Sequence, residues 1–209
     1  MSLARPLSIA LSMSVLVFAI GFLQPTGLFA PLDGGAMHLV GVLRRLPGAG
    51  LVTSVAIWLD VLGTAGGRAM IAISIGMFLA RAGRPDLVIR LVIAAMGTSL
   101  VNSLIKLSFD EPRPDLLEHL VATTGTSFPS GHAAGAMALY GALALMTKSR
   151  LLALACVGMA LATGLSRVWL GVHWPSDVCG GFAVGLAWLA IVWMVLPGRG
   201  PFPSVGAWR

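Results

Sequence analysis

The chain has 209 residues, of which 57% are apolar and 11% charged, with a mean hydropathy of +0.90. A soluble domain carries about 25% charged residues, so this composition cannot dress a water-facing surface and points to an integral membrane protein. The net charge of +6 reads as orientation bias and contact with anionic headgroups. No nucleic-acid partner is expected.

A membrane span takes roughly 20 mostly apolar residues, in helices because lipid leaves no partner for free backbone groups. Arg5 precedes the first apolar run, Leu7–Leu23. That run exceeds the usual signal-peptide core of about 7–15 residues. The small residues after it, Gly27 and Ala30, do not form an A-x-A-like site, so it reads as a retained first span. Leu51–Ala80 is interrupted by Asp60, Gly66-Gly67 and Arg68. It reads as a short interfacial helix over Leu51–Asp60 followed by a second span, Leu62–Ala80. Further spans are expected at Leu87–Lys106, Gly131–Thr147, Leu151–Ser166 and Asp177–Leu196.

The expectation is an all-α integral membrane protein with six transmembrane helices in a single bundle. With no internal repeat or low-complexity linker, residues 1–209 read as one domain. Asp60 and Arg68 read as snorkelling interfacial groups or as the lining of a lipid access path. Asn102 and Ser103 read as bonding between helices. Gly131 and Gly135, and Gly181 and Gly185, form small-xxx-small pairs that suit close packing of the last three spans. Cys156 and Cys179 lie in apolar segments with no CxxC pattern and read as small packed hydrophobes.

Basic residues in the loops set orientation. With the N-terminus inside, Arg5, Arg81, Arg84, Arg90, Lys148, Arg150, Arg199 and Arg209 are cytoplasmic, with one acid, Asp86. The other face holds Arg44, Arg45, Arg68, Lys106, Arg113, Arg167 and all remaining acids. Both termini are therefore expected in the cytoplasm, and the polar stretches 107–130 and 167–176 on the outer face.

Three polar clusters fall at those outer ends: KLSFDEPRP from Lys106, PSGH from Pro129 to His132, and SRVWLGVHWPSD from Ser166 to Asp177. Together they read K-x6-R-P, P-S-G-H and S-R-x5-H-x3-D, in that order. In this arrangement the chain resembles the type 2 phosphatidic acid phosphatase superfamily of membrane lipid phosphatases, with no departure at any motif position. The resemblance implies that His173 is the nucleophile, with Asp177 behind it and His132 as the acid. It also implies that Lys106, Arg113, Ser130, Gly131 and Arg167 hold the phosphate.

The residue chemistry agrees. Phosphoryl transfer needs charge neutralisation, an in-line nucleophile and a proton for the leaving oxygen. Lys106, Arg113 and Arg167 supply three cations, the arginines with planar bidentate donors. Ser130 is a good N-cap, and Gly131 opens a helix whose free N–H groups favour an anion. His132 lies in that first turn. Pro175 suits the first position of the last helix, which places Asp177 to reach back to one ring nitrogen of His173. The other nitrogen is then free to attack phosphorus.

No metal or other cofactor is expected. Asp110, Glu111, Asp115, Glu118 and His119 read as a solvated loop or a mobile lid. Trp169 and Trp174 read as interfacial anchors.

The expected activity is hydrolysis of a lipid phosphate or diphosphate through a phosphohistidine. A polyprenyl diphosphate is the first choice; phosphatidylglycerol phosphate, phosphatidic acid and a lipid A phosphate are the others. A lipid phosphotransferase using the same site, or a non-enzymatic lipid flippase or binding protein, is the alternative. The expected partners are the lipid substrate and membrane lipids, with no obligate protein partner. The expected location is a bacterial inner membrane, with the site on the periplasmic or extracellular side.

Overall fold

The structure, a computed structural model, describes residues 3–196; Arg199, Arg209 and both chain ends lie outside the described residues. Every regular element among the described residues is helical. In chain order these are α1 (Ala4–Leu23), a short 3₁₀ turn (Gln24–Thr26), α2 (Ala30–Leu43), α3 (Ala49–Gly63), α4 (Ala65–Arg81), α5 (Pro85–Lys106), α6 (Gly131–Met146), α7 (Arg150–Trp169) and α8 (Pro175–Val195). Local chemistry explains several starts. Proline, which lacks an N–H to leave unpaired, stands at the head of α5 and α8. Ser149 accepts from Leu152 N at 3.3 Å to cap α7, and Thr64 accepts from Gly67 N at 3.0 Å to cap α4.

Each of the six expected spans appears as a helix, but they are not equal. Four are long and apolar enough to cross a membrane: α1 with its 3₁₀ turn, α5, α7 and α8. The pair α3 and α4 qualifies together but is bent by 70°, which makes five if the pair is one span. Helix α6, at 16 residues, is about 24 Å long at 1.5 Å per residue, short of the ~30 Å hydrocarbon core. The bend between α3 and α4 is tight. A Cβ on Gly67 would lie 2.3 Å from Val61 O, so the chain can double back there only on a glycine.

Helix α2 was not among the expected elements, because Asp33, Gly34, Gly35 and His38 break its apolar run. It forms anyway, with Met37 fully buried and Asp33 nearly so.

Helix α6 is the centre of the bundle, with ten of its residues buried and α5, α7 and α8 packed around it. Alanines and glycines along it allow this close approach. From α8, Gly181 and Gly185 sit against α6 so tightly that a Cβ would lie 2.4 Å from Ser130 O and 2.5 Å from Ala134 O. Gly131 and Gly135 serve differently from expectation. They admit side chains, Asn102 of α5 and Arg68 of α4, rather than a helix backbone. Asn102 is buried with its Oδ1 unpartnered, and Ser103 is exposed; among the described residues neither side chain makes the expected interhelical bond.

Helix α1 lies along α8, α4 along α5, and α3 along α7. Their outward faces are apolar, with Leu11, Val15, Phe22, Phe78, Leu151 and Leu154 exposed, as lipid contact requires. Cys156 is buried, but Cys179 is exposed and unpaired. It occupies an outward position of α8, which corrects its reading as a packed core residue.

Candidate active site

The three motif clusters meet at one end of the bundle. Lys106 ends α5, Ser130 and Gly131 open α6, Arg167 sits in the last turn of α7, and Asp177 in the first turn of α8. His173 lies in the short loop between α7 and α8. Gly171 makes that loop possible: its φ is +79°, and a Cβ there would lie 2.9 Å from Glu118 O.

His173 Nδ1 is 3.4 Å from Asp177 Oδ2, and its Nε2 is 3.3 Å from Arg113 Nη1. A guanidinium has only donors and a carboxylate only acceptors. The arrangement therefore places the proton on Nδ1 and a lone pair on Nε2. Burial pushes His173 down from its usual 6.5 to about 4, against the pull of Asp177 and with the help of Arg113 and Arg167. At neutral pH the ring is uncharged, with Nε2 a usable nucleophile.

Asp177 is wholly buried and well supplied with donors. Its Oδ2 accepts from the Ser127 hydroxyl and, at 2.8 Å, from Trp174 N; its Oδ1 accepts from Gln24 Nε2 at 2.9 Å. Gln24 Nε2 also donates to Ser176 Oγ at 2.9 Å, and Ser176 donates in turn to Asp33 through Oγ at 2.6 Å and N at 2.9 Å. Asp33 thus supplies from α2 the acceptor that the first turn of α8 needs. Burial raises the Asp33 carboxyl, and its bonds to Ser176 lower it.

Lys106 and Arg113 hold the loop that leads into α6. Lys106 Nζ donates to Thr126 O at 2.6 Å and Ser127 O at 3.2 Å. Arg113 donates to Thr124 O at 2.9 Å, Gly125 O at 3.1 Å and Val172 O at 2.8 Å. Among the described residues neither cation makes a salt bridge with a carboxylate. Ser130 is at the N-cap position, but its hydroxyl makes no cap bond; it is buried and unpartnered. Its backbone N donates to Asp177 O at 3.0 Å, which ties the start of α6 to α8.

Asp60 departs most from expectation. Its side chain turns into the site rather than snorkelling. Its Oδ1 lies 3.1 Å from His132 Nε2 and also accepts from Arg167 Nη1. His132 Nε2 is 3.2 Å from Asp60 O as well. Arg68 is buried one turn below, donating to Gly63 O and, at 3.0 Å, to Ser99 Oγ. No spacing rule links residue 60 to residues 132 and 167, so the contact was invisible in the sequence. The same holds for Gln24, Asp33 and Ser127. The only signal for Asp60 was its charge beside an apolar run.

The 107–130 loop is fastened rather than free. Trp174 Nε1 donates to Pro112 O at 3.0 Å, Ser127 N to Glu111 O at 2.8 Å, Leu120 N to Leu170 O at 3.0 Å, and Arg44 Nη1 to Glu118 O at 3.0 Å. Trp169 likewise donates inward, to Thr53 Oγ1 at 3.0 Å. Among the described residues no three His, Cys, Asp or Glu side chains converge as metal ligands would.

The family model of the PAP2 superfamily matches residues 87–201, more than half of the chain and all three motif clusters. The chain belongs to the PAP2 superfamily. It is 36% identical over 99 residues to undecaprenyl-diphosphatase BcrC of Bacillus subtilis, covering 45% of this chain and 50% of that protein. It is 35% identical over 127 residues to phosphatidylglycerophosphatase B of Bacillus subtilis, covering 56% and 61%. A lipid A 1-phosphatase of Rhizobium johnstonii is 39% identical over 74 residues, 35% of this chain and 29% of that one. The chain thus spans about half the length of the first relative and less than two thirds of the others. Likeness to a solved structure extends further. The transmembrane PAP2-type phosphatidylglycerolphosphate phosphatase of Bacillus subtilis superposes with a TM-score of 0.75 at 26% identity, over 90% of this chain and 93% of that one.

Proposed function

We propose that this PAP2 protein is an integral-membrane lipid phosphatase that works through a phosphohistidine on His173. The carrying observation is the orientation of that ring: Nδ1 toward buried Asp177, and Nε2 toward the Arg113 guanidinium. Lys106, Arg113, Arg167, Ser130 and the Gly131 backbone hold the phosphate oxygens. The Nε2 lone pair attacks phosphorus, the P–O bond to the lipid breaks, and His132 delivers a proton to the leaving oxygen. His132 then takes a proton from water, the resulting hydroxide attacks phosphorus, and the P–N electron pair returns to Nε2. No step calls for a metal.

The substrate is amphiphilic in this reading. An apolar groove lined by Val17, Phe18, Val101, Ile105, Val184 and Trp188 reaches the residue just before Lys106. A lipid tail in that groove leaves its phosphate near the cations. A polyprenyl diphosphate is our first choice, in keeping with the undecaprenyl-diphosphatase relative. Phosphatidylglycerol phosphate, phosphatidic acid and a lipid A phosphate remain in the panel. We place the site on the periplasmic or extracellular side of a bacterial inner membrane, with six spans in one domain and both termini inside. Arg81, Arg84, Lys148 and Arg150 at the opposite end of the bundle support that orientation.

Phosphate release measured across these lipids with chelator present tests the activity and ranks the substrates. An acid-labile, alkali-stable phosphoenzyme that is absent from His173→Ala tests the intermediate. Unchanged phosphate release by that variant would overturn the mechanism.

A further inference from the structure

His132 Nε2 faces two acceptors and no donor: the Asp60 carboxylate at 3.1 Å and the Asp60 carbonyl at 3.2 Å. Nε2 therefore carries a hydrogen whatever the charge of the ring. The proton that comes and goes sits on Nδ1, which has no protein partner among the described residues. The ring is also wedged in place, because a Cβ on Gly63 would lie 2.6 Å from His132 Cδ2. The 70° turn after Gly63 brings the end of α3, and Asp60 with it, against the first turn of α6.

The charges around His132 make Asp60 necessary. Arg167 from α7 and Arg68 from α4 bring two positive charges to this end of the bundle, and Asp60 from α3 is the carboxylate that meets both Arg167 and His132. Without Asp60, His132 would face two guanidinium groups alone.

We infer that Asp60 is the positioning residue for the acid–base histidine. It holds Nε2–H, stabilises the charged ring that protonates the leaving oxygen, and presents Nδ1 to the reacting phosphate. In the first half-reaction the Nδ1 proton passes to the lipid oxygen as the P–O electron pair moves onto it. In the second, Nδ1 accepts a proton from water as the new O–P bond forms and the P–N pair returns to His173. Asp60 touches neither substrate nor phosphorus. The assignment rests on the phosphatase reading above.

The competing account makes Asp60 only a counter-ion for Arg167, since both contacts use Oδ1. The two accounts part on leaving-group chemistry. A lipid alkoxide needs a proton as it departs, whereas a nitrophenolate leaves without one. The experiment compares kcat/KM of the full-length protein and of Asp60→Asn with dioctanoyl phosphatidic acid and with p-nitrophenyl phosphate. We expect a roughly hundredfold loss with the lipid and less than about threefold with the aryl ester, the size of a lost general acid.

In a His132→Ala background Asp60→Asn should add no further loss with the lipid. Asp60→Glu, which keeps a carboxylate, should restore part of the lipid activity, and it serves as the second variant if Asp60→Asn does not fold. Equal losses with both substrates, or a full further loss in the His132→Ala background, would overturn the assignment to Asp60 while leaving the phosphatase standing. A wild-type protein that releases phosphate from no lipid of the panel above would instead overturn the phosphatase reading, and the Asp60 assignment with it.

Discussion

Two histidine–aspartate pairs stand at the same end of the bundle and are built in opposite ways. His173 and Asp177 are four residues apart, and the carboxylate is wholly enclosed with three donors besides the imidazole. His132 and Asp60 are 72 residues apart, and the Asp60 side chain, 19% exposed, shares one oxygen between the ring and Arg167. The first pair suits a nucleophile, which needs one tautomer and one direction. The second suits a group that gains and loses a proton each turnover, with the Arg167 cation beside it.

Breaking the first pair should have the larger effect. His173→Ala should abolish turnover by at least about 10⁴-fold, as loss of a nucleophile does elsewhere, and leave no phosphoenzyme after alkaline quench. Asp177→Asn should lower kcat by roughly 10³-fold, since it frees the wrong tautomer of His173. Near-normal kcat in that variant would show that the 3.4 Å contact is incidental.

The second pair should give a different signature. His132→Ala should cost about 10²–10⁴-fold in lipid turnover. It should also accumulate phosphoenzyme with a good leaving group, because water attack then lacks its base. Equal depletion of phosphoenzyme in the His132 and His173 variants would erase the distinction between the pairs.

The pH dependence sharpens it further. His173 is held at about 4, below its usual 6.5, so kcat/KM should persist through mildly acid pH and fall as pH drops through about 4. The sign for stability is the same. The unfolded chain protonates His173 first, so the native state loses stability as pH falls from 6.5 toward 4, readable as a lower Tm in detergent. Asp177→Asn removes the group that favours the charged ring, so its acid limb should move lower still.

The smallest effect should come from outside both pairs. Val101→Trp in the apolar groove should raise KM for long-tailed lipids by about tenfold or less, a few buried methylenes' worth, and leave p-nitrophenyl phosphate unchanged.

Much of the site was legible from composition and motif. Lys106, Arg113, Ser130, Gly131, His132, Arg167, His173 and Asp177 lie at one end of the bundle, as their positions at the ends of apolar runs implied. The details that failed were those set by neighbours. Ser130 was expected to cap α6 with its hydroxyl, yet that hydroxyl is buried and unpartnered. The acidic loop does keep Asp110, Asp115, Glu118 and His119 exposed, as its solvated reading has it, while carbonyls at 111, 112 and 118 tie its backbone down. Helix α2 was missed because its polar residues hide it from a hydropathy reading, and Asp33 is polar because α8 needs an acceptor there.

By itself the sequence determined the membrane class, the helical elements other than α2 and the His173–Asp177 pair. Those depend on apolar run length and on Pro175, which opens α8 so that Asp177 in its first turn reaches back to His173 in the loop before it. Only the tertiary structure decided that Asp60 meets His132 and Arg167, and that Gln24, Ser127 and Asp33 brace the first turn of α8. Those contacts join distant parts of the chain through the packing of α1, α2 and α3 against α6, α7 and α8, and packing has no period to be read along the sequence.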